Sequence, residues 1–156
     1  MSLAGHNGIF LSLGSNVGDR ENFLNRARTS LLAEGIKIVG ESSVHETAPW
    51  GNQEQAHFLN QCVQIATHES PENLLKKIKN IEQKIGRQEA SKWGPREIDI
   101  DILFYNDMIL HYASLTIPHP HIAERSFVLV PLCEIAPDFV HPVLKKSVKA
   151  LLQKLQ

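Results

Sequence analysis

The sequence has 156 residues, 42% of them hydrophobic, which suits one domain around one sizeable core. Lys and Arg number 16 against 17 Asp and Glu, a net charge of −1, so no global field draws the chain to nucleic acid or an anionic membrane, and any basic site is local. No apolar run approaches the roughly 18 residues of a membrane span, and no basic stretch followed by an apolar one stands at the N-terminus, so a soluble cytoplasmic protein is expected.

Residues 1–7 are read as a flexible or vector-derived lead outside the fold, and 1–156 as a single domain. Residues 8–14 read as a central strand, since Ile9, Leu11 and Leu13 alternate with Phe10 and Ser12 and both faces are fairly apolar. Asp19 offers an N-cap, Phe23, Leu24, Ala27, Leu31 and Leu32 recur at helical spacing, and Gly35 supplies a stop, predicting a helix over 19–34. β-Branched residues predict a second strand over 36–44 and a third over 57–67, with a polar loop bearing Pro and Gly between them. Ser70-Pro71 opens a second helix whose Leu74, Ile78, Ile81 and Ile85 share a face, with Gly86 as its end. After a loop over 87–97, residues 98–105 read as a strand that Asn106-Asp107 turns into a hairpin partner over 108–110. The rest holds a Pro- and His-rich loop at 118–121, an apolar stretch at 127–135 and a short amphipathic helix near 147–155. Strands two and three follow one another without a helix, so the order suits an α+β, ferredoxin-like sheet and not a parallel βαβα series. Cys62 and Cys133 lie in apolar stretches without CxxC spacing and read as free thiols in a reducing compartment.

The strongest chemical signal is Asp99-Ile100-Asp101 inside an otherwise apolar strand. Strand geometry puts both carboxylates on one face with Cβ atoms roughly 6 to 7 Å apart. Acids so placed repel and resist desolvation unless a cation neutralises them. An oxygen-only pair suits Mg²⁺, which binds one or two carboxylates together with substrate phosphates. Ile98, Ile100, Ile102 and Phe104 are expected to face the core and hold the acids rigid. Just upstream, Lys92-Trp93-Gly94-Pro95-Arg96 supplies two cations and a flat aromatic: Arg96 can grip phosphate with a planar fork, and Trp93 can stack on a heterocycle. Arg87 ends helix two on the same loop. Thr47, Ala48, Pro49 and Trp50 return through the loop to Phe58 and Asn60, parts that can line a slot for a flat heteroaromatic ring, with Phe58 stacking and the Asn60 amide reading its edge. Gly14-Ser15-Asn16-Val17-Gly18 can present N–H groups to an anion, but it is neither a dinucleotide fingerprint nor a P-loop and fits a plain tight turn as well. His119 and His121 flank Pro120 without a zinc-ligand pattern; His119 suits a hydrogen bond to phosphate or a loop cap, and His121 receives no role. Arg125 and Phe127 stand at a helix start and are ambiguous alone.

These residues resemble the 6-hydroxymethyl-7,8-dihydropterin pyrophosphokinases. The marks run from Ile9 to Asp138: Gly14-Ser15-Asn16, Thr47-Ala48-Pro49-Trp50-Gly51, Phe58-Leu59-Asn60, Gly86-Arg87, Trp93-Gly94-Pro95-Arg96, Asp99-Ile100-Asp101, Pro118-His119-Pro120 and Arg125-Ser126-Phe127. The resemblance implies an α-β-α layered ferredoxin-like fold, a mainly antiparallel sheet, and transfer of diphosphate from ATP to the pterin alcohol with release of AMP, a step of folate synthesis. By the same resemblance Asp99 and Asp101 hold two Mg²⁺ ions, and Arg87 and Arg96 join them as catalytic residues. The segment Thr47 to Trp50, with Phe58, Asn60, Trp93 and Phe127, binds the pterin. Leu75, Glu82, Arg87, Lys92, Trp93, Arg96, Ile102, Thr116, His119 and Arg125 face ATP.

The chain departs from the family pattern where Gln88-Glu89-Ala90-Ser91-Lys92 replaces further arginines. Lys92 keeps charge but not a bidentate fork, so altered ATP affinity or loop closure is expected. Residues 51–55 and 87–93 are read as lids over ATP. A monomer taking small-molecule substrates, with no nucleic-acid or membrane partner, is expected. Two other readings compete: a non-catalytic ferredoxin-like sensor of pterin or nucleotide, and a two-metal nuclease built on the acid pair.

Overall fold

The computed structural model describes residues 7–16, 18–47, 57–88 and 98–156, with backbone alone at 87 and 88. The elements are β1 (Ile9–Ser15), α1 (Arg20–Ala33), β2 (Lys37–Glu41), β3 (His45–Thr47), β4 (Phe58–Ala66), α2 (Pro71–Gln88), β5 (Asp99–Tyr105), β6 (Leu110–Tyr112), β7 (Leu115–Ile117), a 3-10 turn (Ile122–Glu124), α3 (Ser126–Ile135) and α4 (Val148–Leu155). The main sheet runs β2-β4-β1-β5 with each neighbouring pair antiparallel, and β3 pairs with the other end of β4. Two split β-α-β units interleaved in this way make the expected ferredoxin-like α+β sheet.

Because strand side chains alternate, β1 feeds two cores. Ile9, Leu11 and Leu13 pack with Leu24, Ala27 and Leu31 of α1 and with Leu74, Ile78, Ile81 and Ile85 of α2. Phe10 points the other way, into a cluster with Leu103, Phe104, Val128, Leu129, Leu132 and Leu151 under α3 and α4. Helices therefore cover both faces, and each fully buried Leu, Ile or Phe contributes about 1.5–3 kcal/mol. Among the described residues, no helix is long and apolar enough to cross a membrane.

The caps follow the sequence closely. Asp19 accepts the Asn22 N–H at 3.2 Å to start α1, Ser70 accepts the Asn73 N–H at 3.2 Å to start α2, and Ser147 accepts the Ala150 N–H at 3.1 Å to start α4. Gly35 takes φ +81° after α1, the left-handed turn for which glycine is suited.

Four sequence expectations are corrected. Helix α2 does not stop at Gly86 but continues to Gln88, because a glycine inside a helix costs only about 1 kcal/mol against alanine and the burial of Ile81 and Ile85 outweighs it. The strand expected over 36–44 ends at Glu41, and β3 stands apart. The break lies at Ser42, whose Oγ accepts the Cys62 N–H at 3.0 Å and whose carbonyl accepts Gln61 Nε2 at 2.8 Å, so side-chain bonds compete with the ladder. The hairpin after β5 is also displaced. Asn106, at φ 52°, accepts the Gly8 N–H on its side chain at 2.9 Å and donates its own N–H to the Gly8 carbonyl at 2.7 Å, tying the turn to β1; β6 pairs instead with β7. Finally, Phe104 leaves the face shared by Ile98, Ile100 and Ile102. Phe10 pairs with Phe104 and Leu11 with Ile102, so Leu103 is a bulged extra residue that sends Phe104 into the α3–α4 layer.

Candidate functional site

Strand register assembles the site. Across the sheet Asn60 lies opposite Gly14, and Gly14 opposite Asp99; one step along, Cys62 lies opposite Ser12, and Ser12 opposite Asp101. Directly opposed residues share a face, so both acids, the Asn60 amide and the two small residues of β1 look the same way. Helix α3 covers part of this face, the Cys62 Sγ lying 3.6 Å from the Val128 carbonyl oxygen to which it donates. At the N-terminal end of α3 a cavity of about 500 Å³ opens. Gly14, Thr47, Phe58 and Asn60 form its floor, Phe127 and Val128 its helical wall, and Asp99 and Asp101 lie at the other side of Gly14. His121, Glu124 and Arg125 also line it.

Each polar group there is held. Asn60, only 4% exposed, donates from Nδ2 to Thr47 Oγ1 at 2.8 Å, which fixes which way its amide points. A Cβ on Gly14 would sit 3.3 Å from Asn60 Oδ1, so glycine keeps the floor open beside the amide. Ile100, between the two acids, turns its N–H outward to Glu82 of α2 at 2.8 Å. That bond caps the edge strand at the residue from which both Asp side chains are spaced. Burial pushes the Glu82 carboxyl above its usual range, against the hydrogen bond from Ile100 and the nearby Lys79, 3.2 Å away. His119 is lowered chiefly by burial, with Asp101 opposing and Arg125 and His121 adding to the shift. Its Nδ1 accepts the His121 N–H at 3.2 Å, so the neutral ring carries its proton on Nε2 and can donate there. Arg125 lies with its guanidinium carbon 5.6 Å from the centre of the Phe127 ring.

The structure thus brings together Thr47, Phe58, Asn60, Asp99, Asp101 and Phe127 from four separate elements, with Arg125 from the residue before α3. Leu75, Glu82, Ile102, Thr116 and His119 do not line this cavity. They lie on neighbouring elements: Leu75 and Glu82 two turns apart on α2, Ile102 on β5, Thr116 on β7, and His119 tied by its N–H to the Leu103 carbonyl at 3.0 Å. Ala48, Pro49, Trp50, Lys92, Trp93 and Arg96 fall outside the described residues, as do the Arg87 side chain, the expected lid over 51–55 and residues 89–93 of the other, whose first two residues, 87 and 88, close α2. Sequence reasoning missed Ser12, His121, Glu124 and Val128 as lining residues and underrated Gly14. A signal was present on β1, where small Ser12 and Gly14 alternate with Leu11 and Leu13 and mark a face left open.

Among the described residues, no group of three or more His, Cys, Asp and Glu side chains is placed to hold a metal. The pair Asp99 and Asp101 is nonetheless a fitting donor set for Mg²⁺, which completes its shell with water and phosphate.

Residues 10–137 match the model of the 7,8-dihydro-6-hydroxymethylpterin-pyrophosphokinase family. The chain belongs to this family. It is 44% identical over 141 residues to the 2-amino-4-hydroxy-6-hydroxymethyldihydropteridine pyrophosphokinase of Aquifex aeolicus, covering 90% of this chain and 88% of that one. It is likewise 44% identical over 147 residues to the Methylorubrum extorquens enzyme of the same name, covering 94% and 92%. A Plasmodium falciparum HPPK-DHPS structure superposes with a TM-score of 0.75 at 18% identity over 95% of this chain and 43% of that one, a likeness of fold alone. Family membership favours neither a sensor nor a nuclease.

Proposed function

We infer that the chain transfers the β,γ-diphosphate of ATP to 6-hydroxymethyl-7,8-dihydropterin, giving the pterin diphosphate and AMP in folate biosynthesis. The observation that carries this reading is the placement of the Asp99–Asp101 pair and the slot bounded by Asn60, Phe58 and Phe127 around one cavity, on either side of Gly14. A flat ring bound between Phe58 and Phe127 stacks on both, while Asn60 and the backbone near Thr47 read its donor and acceptor edge. The hydroxymethyl group then points toward the acids. Its oxygen bonds to the β-phosphorus, the bridging oxygen between the α- and β-phosphorus atoms leaves with AMP, and the hydroxyl proton is released.

The residues present fit Mg²⁺ at Asp99 and Asp101, two ions in our reading, and the enzyme is Mg²⁺-dependent. When bound, Mg²⁺ supplies charge neutralisation and alignment of the polyphosphate. The chain's own contribution is placement, which phosphoryl chemistry needs more than a covalent nucleophile. Glu82 holds the edge of β5, and the Ile102 backbone, two residues on, shares the outward direction of Ile100 and is available to the adenine. Leu75 and Thr116 flank that edge from α2 and β7. His119 donates from Nε2 and Arg125 adds a cation to the phosphates; Arg87, Lys92, Trp93 and Arg96 complete the ATP side, and Ala48, Pro49 and Trp50 the pterin side. We read the chain as a monomeric, single-domain enzyme, and its soluble substrates suit the cytoplasm.

The test is nucleotide analysis of a reaction containing ATP, Mg²⁺ and the hydroxymethylpterin. AMP forms only when the pterin is present; ADP or orthophosphate as the product defeats the reading.

A further inference from the structure

Away from the acids, β3 and α3 are joined by a compact polar knot. The Glu134 carboxylate accepts the Ser43 N–H at 2.9 Å and the Ser43 hydroxyl, whose Oγ lies 2.9 and 3.0 Å from its two oxygens, and it also bonds His45 Nε2. Three donors from one three-residue segment converge on one side chain of α3. The Ser43 N–H is the leading reason that the Glu134 carboxyl is held below its usual range; burial opposes it, and bonds from His45 and the Ser43 hydroxyl add to the lowering.

The knot is aligned with the slot. Glu134 and Phe127 are seven residues apart on α3, two helical turns, and so project from one face of the helix. His45 and Thr47 are two residues apart on β3 and project from one face of the sheet, with His45 opposite Asn60 and Thr47 opposite Phe58. The upper pair, Glu134 and His45, is in contact; the lower pair, Phe127 and Thr47, stands across the cavity. A stacked ring tolerates little error in the gap between its two aromatic neighbours, and this contact is a polar tie between β3 and α3, which carry two walls of that gap.

We propose that Glu134, by clamping Ser43 and His45, sets the spacing between α3 and β3 and so acts as a positioning residue for the pterin ring. This rests on the reading of the slot given above. The Arg20 guanidinium ties the far side of the same ladder, bonding Glu46 at 2.8 Å and the His57 carbonyl at 2.5 Å, so β3 is held on both flanks and loss of Glu134 is felt as a change of gap and not as release of the strand.

The test is pterin binding measured by calorimetry with saturating α,β-methylene-ATP and Mg²⁺, with nucleotide binding and thermal unfolding measured alongside. Glu134→Ala weakens pterin about fivefold or more, while nucleotide affinity stays within about twofold. Glu134→Gln, which still accepts the Ser43 N–H but lacks the charge, falls between. In a Phe127→Ala background the effect of Glu134→Ala on pterin binding disappears, as it must if Glu134 acts through the position of that ring. His45→Phe leaves α3 intact and shifts pterin affinity in the same direction should Glu134→Ala fold poorly. Unchanged pterin affinity, equal loss for both ligands, or an undiminished effect without Phe127 overturns the proposal. Failure of the unmodified protein to bind the pterin overturns instead the reading on which it rests.

Discussion

Replacing Gly14 by Ala places a Cβ 3.3 Å from Asn60 Oδ1, 3.9 Å from the Leu59 carbonyl oxygen and 4.0 Å from Phe58 Cδ1. Only the first approach is tight, and Asn60 cannot swing clear, being 4% exposed and bound to Thr47 Oγ1 at 2.8 Å. The amide must therefore give by a few tenths of an ångström, a distortion costing about 0.5–1.5 kcal/mol. Against this, alanine is favoured over glycine within a strand by roughly 0.5–1 kcal/mol. The two nearly cancel, so global stability stays within about 1 kcal/mol, or roughly 2–4 °C in Tm for a chain of this size. Chemistry is not so insulated. The new methyl group stands on the slot floor between the ring-reading amide and the acids, and a displacement near 1 Å of a reacting group costs on the order of 100-fold in rate, or about 2.7 kcal/mol. Calorimetry and AMP release measured on the same preparation separate the two effects. Wild-type turnover in Gly14→Ala, or a large loss of stability accompanying the loss of rate, refutes this account of the floor.

Asp99→Asn and Asp101→Asn each lower AMP formation by at least about 10³-fold while leaving the far-ultraviolet spectrum unchanged, and chelation of Mg²⁺ does the same to the unmodified protein. Glu82→Ala leaves the Ile100 N–H without its carboxylate partner and lowers stability by about 1–3 kcal/mol, read from chemical unfolding, with a loss of ATP affinity that Glu82→Gln partly restores. Because the Glu134 carboxyl is held below its usual range, its contribution to stability is complete above the unfolded carboxyl pKa of about 4.3 and is lost as pH falls through the lower folded value. Glu134→Gln accordingly flattens the acid limb of Tm plotted from pH 7 to 3. Cys62 is fully buried and its thiol is pushed up by burial, with the Glu134 charge adding to the effect, so iodoacetamide labels Cys133 in the native protein and spares Cys62 until unfolding, as mass spectrometry will register.

Most of the architecture was legible because it rests on local signals that tertiary structure had no reason to override. Asp19, Ser70 and Ser147 cap helices as their side chains suggest, and the alternation along β1 gives a strand buried on both faces. The misses arise where long-range partners decide. Asn106 reads locally as a hairpin turn, but its side chain and N–H reach 98 residues back to Gly8. The serine pair after β2 breaks the strand only because Gln61 and Cys62 are positioned to bond it. The bulge at Leu103 follows from pairing with β1 and leaves no mark in β5 alone. At the site, the acid pair announced itself because Asp is unusual in an apolar strand. Val128, Glu124 and His121 did not, since only the packing of α3 and the turn before it against the sheet brings them to the cavity.

The central claim is that Asp99 and Asp101 together receive divalent cations along with the nucleotide phosphates. Crystals grown with Mn²⁺ in place of Mg²⁺ and with α,β-methylene-ATP, measured at the manganese absorption edge, address it directly. The account predicts anomalous density within coordination distance of both carboxylates and of the polyphosphate. Manganese elsewhere, or nucleotide bound with the two side chains coordinating no ion, contradicts it.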